Sequence, residues 1–173
     1  MKNNIEIHWN GFIKQCCKNY PNESCAFLFA KKPFNINEEW FVFPIDNVAK
    51  DKNIQWQPDI KQLRKTKKKA KELKLICIGN IHSHPLPDVF PTREENIDDA
   101  KYPSKDDLKY AQKFNDIIRG ILVVDNEAVY AHTFHDMFGN IIDIYLEEMN
   151  VRPLELDLIN HVSLEGFDKY ECK

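Results

Sequence analysis

Two histidines one residue apart, His82 and His84, follow the apolar run Leu75-Ile76-Cys77-Ile78-Gly79-Asn80-Ile81 and precede Pro85. In an extended chain alternate side chains share a face, so both imidazoles can converge on one ion while Ser83 points away. Neutral imidazoles suit Zn²⁺, and a catalytic zinc needs one further protein ligand plus a position open to water. Two other stretches offer carboxylates. Downstream, Ser104-Lys105-Asp106-Asp107 opens a segment in which Leu108, Ala111, Phe114 and Ile118 recur at helical spacing. Ser104 is placed to cap that helix and Asp107 sits one turn in, an arrangement that a capping box alone explains. Upstream, Glu23 in Tyr20-Pro21-Asn22-Glu23-Ser24-Cys25 stands at the mouth of an apolar run, where an ordinary loop glutamate is the simpler reading.

Taken together, the pieces resemble the JAMM (MPN+, Jab1/MPN) metalloprotease family, whose pattern is an N-terminal Glu, then His-Ser/Thr-His-Pro, then Ser-x-x-Asp. The resemblance covers most of the chain. Pro21-x-Glu23-Ser24-Cys25 looks like the first motif, and Asn47-Val48-Ala49 with Trp56-x-Pro58 resembles a second stretch. Gly120 to Val124 fits the strand after the helix, and the wording is nearest to the prokaryotic and phage-type branch. Two departures stand out. Ala26 replaces the usual glycine after Ser-Cys, and 22 residues separate His84 from Asp107 where the family has a shorter spacer. Counting the shorter spacer from His84 lands on Glu95, because Phe90-Pro91-Thr92-Arg93-Glu94-Glu95 echoes Tyr102-Pro103-Ser104-Lys105-Asp106-Asp107. Either carboxylate can bind zinc. Topology favours Asp107: a helix and a strand follow it at once, whereas Tyr102-Pro103 would cut short a helix begun at Glu95. Residues 86–102 then form an inserted acidic loop beside the active site, read as a lid, a substrate-contacting flap or an inert surface loop.

The 173 residues fit a single domain (1–173), with 43% hydrophobic residues to fill its core. Residues 1–6 lack the apolar region of a signal peptide, and no apolar run approaches a membrane span, so the expectation is a soluble, cytoplasmic protein. Five cysteines (Cys16, Cys17, Cys25, Cys77, Cys172) without a Cys-x-x-Cys clip read as reduced thiols, mostly in the core. Cys25 beside Glu23 has the apolar setting of a packing residue rather than a nucleophile. A net charge of −3 gives no general reason to expect nucleic acid as a partner. The basic run from Lys61 to Lys71 reads as a solvated helix face or a site for an acidic partner, since no aromatic residues interleave with its lysines.

The elements that must position these residues follow from periodicity. Helices are predicted near 9–19, with Phe12, Ile13, Cys16 and Cys17 on one face, near 58–73, and after Ser104. Strands are predicted at 25–30, 40–44, 75–81, 120–124 and 128–134, with another possible at 141–146; residues 147–173 are ambiguous. This order predicts an α/β fold, a mixed sheet sandwiched by helices. It agrees with the MPN (JAB) fold and its cytidine-deaminase-like three-layer arrangement, which the resemblance implies. His132 and His135 fall on opposite faces of their strand; with His8 and His161 they read as structural or surface residues.

What the resemblance implies chemically is a zinc held by His82, His84 and Asp107, with Glu23 as the base for the metal's water and Ser104 as donor to the oxyanion. The implied activity is an isopeptidase or peptidase acting after the C-terminal tail of ubiquitin-like or sulfur-carrier proteins. Two alternatives stand beside it: a phage-type tail-assembly peptidase of the same chemistry, and an MPN scaffold that binds partners without catalysis.

Overall fold

The computed structural model describes residues 3–5, 7–9, 11–36, 38–86, 93–142, 144–146 and 170–171, with backbone alone at 3–5, 8, 93–95, 144–146 and 170–171. The elements are β1 (Asn3–Ile5), β2 (Ile7–His8), α1 (Phe12–Asn19), β3 (Cys25–Lys31), β4 (Trp40–Ile45), α2 (Ile60–Glu72), β5 (Leu75–Pro85), α3 (Arg93–Ala100), α4 (Lys105–Phe114), β6 (Ile118–Val124), β7 (Ala128–His135), β8 (Ile144–Leu146) and β9 (Tyr170–Glu171). Seven strands form one mixed sheet in the order β2-β4-β3-β5-β6-β7-β9, while β1 and β8 pair separately. At its centre β5 runs antiparallel to β3 and parallel to β6. Parallel neighbours need a crossover, and α3 and α4 supply it.

The alternation of β3 divides the interior between two faces. Ala26, Leu28 and Ala30 join Phe12, Ile13 and Cys16 of α1 on one side; Cys25, Phe27 and Phe29 join Leu63 and Ala70 of α2 on the other. Tyr110 of α4 reaches Trp56 on that second side, with ring centroids 4.7 Å apart, so the sheet is covered by α1 below and by α2 and α4 above. The predicted α1 face of Phe12, Ile13, Cys16 and Cys17 is buried throughout. Asp59 caps α2 by accepting from the Lys61 and Gln62 amides, and the basic residues Lys61, Arg64, Lys65, Lys68, Lys69 and Lys71 lie in solvent.

Three expectations need correction. The strand carrying the histidines does not stop at Ile81 but continues to Pro85, because the parallel ladder with β6 pairs His82 with Ile121 and His84 with Val123. The inserted segment is not a plain loop, since it contains the helix α3; Arg93 to Ala100 holds neither glycine nor proline to prevent one. The cysteines are not all reduced: Cys17 is disulfide-bonded, while Cys16, Cys25 and Cys77 are free thiols. Burial pushes the Cys25 thiol up to about 12, which suits the packing role expected for it.

One irregularity in β5 decides where the histidines point. Leu28 faces Gly79 but Phe29 faces Cys77, so Ile78 is an extra residue in the strand. A bulge of this kind reverses the side-chain alternation beyond it. Leu75 and Cys77 therefore pack on the α2 side, and after the bulge Asn80, His82 and His84 take over that face while Ile81 turns toward α1. The adjoining Gly79 is required by close approach, because a Cβ there would lie 1.6 Å from the Ile118 carbonyl oxygen of β6. We expect Gly79→Ala to cost about 3 kcal/mol, the upper range of overpacking, measured as a lower urea midpoint; an unchanged midpoint would show that β6 can retreat without loss.

Candidate metal centre

His82, His84 and Asp107 meet at the C-terminal end of β5 and the first turn of α4. The Nε2 atoms of the histidines are 2.9 Å apart. Asp107 Oδ1 lies 3.2 Å from His82 Nε2, and Asp107 Oδ2 lies 3.5 Å from His84 Nε2. Ligands at zinc distances of about 2.0–2.1 Å in a tetrahedron stand about 3.3 Å from one another, a value these separations bracket. Among the described residues they form a group that can hold a metal ion. The Glu95 side chain, the alternative third ligand, lies outside the described residues.

Each ligand is oriented by a partner. His84 Nδ1 lies 2.6 Å from the Ala100 carbonyl; a carbonyl only accepts, so Nδ1 carries a proton and Nε2 is the nitrogen turned to the cluster. His82 is fully buried and stacks on Trp56, with ring centroids 5.4 Å apart and planes at 27°. Its Nδ1 has no hydrogen-bond partner, which leaves the ring's polar interactions concentrated at Nε2. Asp107 Oδ2 accepts from the Ser104 amide at 2.8 Å and from the Ser104 hydroxyl at 2.7 Å, while the Asp107 amide donates to Ser104 Oγ at 3.1 Å. The capping box read in the sequence thus forms, and its carboxylate is also the one facing the histidines.

Burial pushes His82 down to about 4. Asp107 is also buried, which alone would raise it, yet His82, His84 and Ser104 hold its carboxyl well below the usual carboxylate range. Two imidazole nitrogens and a carboxylate this close favour a shared positive charge: against the effect of burial, Asp107 raises the affinity of His84 for a proton, and a divalent cation can take the same place.

Glu23 lines the same cleft, about 720 Å³ in volume, together with Trp56, His84, Ser104, Asp107 and Tyr110. Its backbone is fastened from both sides: its amide donates to the Lys52 carbonyl at 2.6 Å and its carbonyl accepts from Asn47 Nδ2 at 2.8 Å. Asn47 also donates to the Gln55 carbonyl and accepts from the Ala49 and Gln57 amides, so it fills its full capacity and ties the Trp56 loop to Glu23. Ser83, between the histidines, faces the other way and accepts from the Ser24 amide at 2.8 Å. Burial, opposed by His84 and aided by Asp107, lifts Glu23 to about 7.

The sequence reading missed Arg119. Fully buried on β6, it donates to the Asp107 carbonyl and, through Nε and Nη2, to Asn80 Oδ1 at 3.2 Å each. Asn80 in turn donates to Asp116 at 2.6 Å, and the Arg119 guanidinium lies over Tyr110 and Trp56. A charged residue inside the apolar run Ile118 to Val124 was the available signal. His132 and His135 occupy opposite faces, opposite Leu122 and Arg119 respectively. Neither belongs to the donor group.

The model for prokaryotic homologs of the JAB domain matches residues 6–135. No curated protein matches the chain. Among solved structures, a JAB1/MPN domain protein from Archaeoglobus fulgidus is similar at 15% identity, over 82% of this chain and 96% of that one, with a TM-score of 0.45. A protein from Salinibacter ruber is similar at 24% identity, over 88% and 94%, with a TM-score of 0.46. A protein from Desulfitobacterium hafniense is similar at 19% identity, over 67% of this chain and 66% of its own length, with a TM-score of 0.42.

The elevated Glu23 has a consequence for stability. Its folded value of about 7 exceeds the ordinary 4.5, so the ionised form is disfavoured in the folded chain and destabilisation grows as pH rises through that window. Glu23→Gln removes the charge. The metal-free variant should melt above the wild type near pH 8, and the difference should vanish at about pH 4, where both side chains are neutral; coincident melting curves near pH 8 would show that Glu23 carries no such burial cost.

Proposed function

The chain belongs to the prokaryotic JAB-domain family, and on that premise we propose that it is a single-domain zinc-dependent peptidase or isopeptidase. The observation that carries this reading is the convergence of His82, His84 and Asp107 in a cleft also lined by Glu23. No helix among the described residues is long and apolar enough to cross a membrane.

His82, His84 and Asp107 would hold the zinc, which when bound would lower the pKa of a water to about 7 and act as a Lewis acid toward the scissile carbonyl. Glu23 is the proton carrier. A carboxyl lifted to about 7 binds and releases protons near neutrality, so it can accept a proton from the attacking water and return it to the leaving amine. Ser104 stands at the exposed edge of the same cleft. Its hydroxyl proton is directed at Asp107, and rotation about χ1 would present it instead to the oxyanion that develops on the substrate, a contact worth about 3 to 4 kcal/mol in other hydrolases. Arg119 and Asn80 hold the backbone beneath the donor group without facing substrate.

We assign as substrates the amide or isopeptide bonds that follow extended C-terminal tails of ubiquitin-like or sulfur-carrier proteins. Such tails lie down as added strands, and glycines pass through narrow grooves. The assignment is tested by metal content and cleavage together. Purified protein should hold one zinc, lost in His84→Ala and in Asp107→Ala. Glu23→Gln should keep the zinc and lose hydrolysis of an isopeptide-linked ubiquitin-like substrate; Ser104→Ala should slow it less, by a few hundredfold. Near-normal turnover by Glu23→Gln would remove Glu23 from this role, and wild-type protein that binds no zinc would favour a non-catalytic scaffold.

A further inference from the structure

The 86–102 segment separates the two parts of the donor group in sequence, and it also touches one of them. Two successive carbonyls at the end of α3 are engaged from different sides: Ala100 O receives His84 Nδ1 at 2.6 Å, and Lys101 O receives the Thr133 hydroxyl of β7. Carbonyls at a helix C-terminus lack partners within the helix, so these two are free to make such external bonds. Thr133 faces Ile121 across the ladder and is two residues from His135, which pairs with Arg119; it therefore sits on the same sheet face as the donor group. At its other end the segment is fixed by the Leu86 amide donating to the Val124 carbonyl and by the Tyr20 hydroxyl donating to the Leu86 carbonyl at 2.8 Å.

We propose that α3, with Lys101 at its end, is a positioning element of the metal centre, anchored by Thr133, so that docking of α3 and metal affinity are thermodynamically linked. The inference rests on the donor group of His82, His84 and Asp107 being a metal site. The link passes through one hydrogen bond. The Ala100 carbonyl fixes the tautomer and ring plane of His84, and outer-shell partners of this kind typically change metal affinity by about 10- to 100-fold when lost. Thr133 acts one peptide further out, holding Lys101 so that the Ala100 carbonyl stays under the imidazole. Linkage is reciprocal: metal at His84 favours the docked helix, and anything that draws α3 away weakens the metal.

The test uses the full chain and zinc itself, with affinity measured by chelator competition. Thr133→Val removes the hydroxyl at nearly constant shape, and zinc should bind about tenfold more weakly. Thr133→Ser keeps the hydroxyl and should restore affinity to within about twofold, which a packing role alone would not do. Wild-type affinity in Thr133→Val, or equal weakening in both variants, would overturn the proposal. Should Thr133→Val fail to fold, hydrogen exchange on the wild type decides. The Lys101 and Tyr102 amides, which donate to the Ile97 and Asp99 carbonyls, should exchange about fivefold or more slowly with zinc bound, and unchanged rates would overturn the link. Wild-type protein that binds no zinc would remove the metal site itself, an outcome distinct from zinc bound without regard to Thr133.

Discussion

A buried carboxylate is tolerated only when its charge is matched and its lone pairs are filled, and the arrangement around Asp107 is organised by that requirement. The Ser104 amide and hydroxyl bind one oxygen, His82 and His84 stand against both, and Arg119 takes the backbone carbonyl of the same residue. To meet it, the start of α4 must lie against the end of β5. Asp107 is thus at once a helix cap, the acidic member of a donor triad and the point where α4 is pinned to the sheet. Removing its carboxyl would leave the two imidazoles without their shared acceptor, while Arg119 would keep the backbone carbonyl and Asn80.

The scaffold beneath is shaped to let these groups meet. The extra residue at Ile78 reverses the alternation of β5, so a strand that begins by contributing Leu75 and Cys77 to the α2-side core ends by presenting Asn80, His82 and His84 there. Gly79 lets β6 come close enough for its ladder to continue past the histidines. Asn47 fastens the Trp56 loop to the backbone of Glu23, which places an aromatic ring against His82 and a carboxyl in the cleft through one side chain.

The environments push the acids of this region apart. Glu23 and Asp116 are raised by burial, to about 7 and about 6, while Asp107 is depressed by the groups around it despite its own burial. A carboxyl held ionised suits metal ligation, and one poised near neutrality suits proton transfer. Asp116 is different in kind. It is bonded to Asn80 and lies 3.7 Å from Arg119, so its place is in the support of the site.

Local spacing made the paired histidines and the helix cap legible; joining them with Asp107 as one donor set was what the family resemblance implied. His82-x-His84 in a strand can only put two imidazoles on one face, and Ser104-x-x-Asp107 before a helical repeat can only be read as a cap; strand and helix periods carry that information without any partner. The α/β order of elements and the α1 core face were legible for the same reason. Which face the histidines use was not, because a bulge is a property of two strands in register and leaves no mark in one sequence. Nor were the helix within residues 86–102, the disulfide at Cys17 or the reach of Arg119 to the Asp107 carbonyl. Each depends on groups far apart in the chain being brought within bonding distance, and only the packed sheet with α4 laid across it sets those distances.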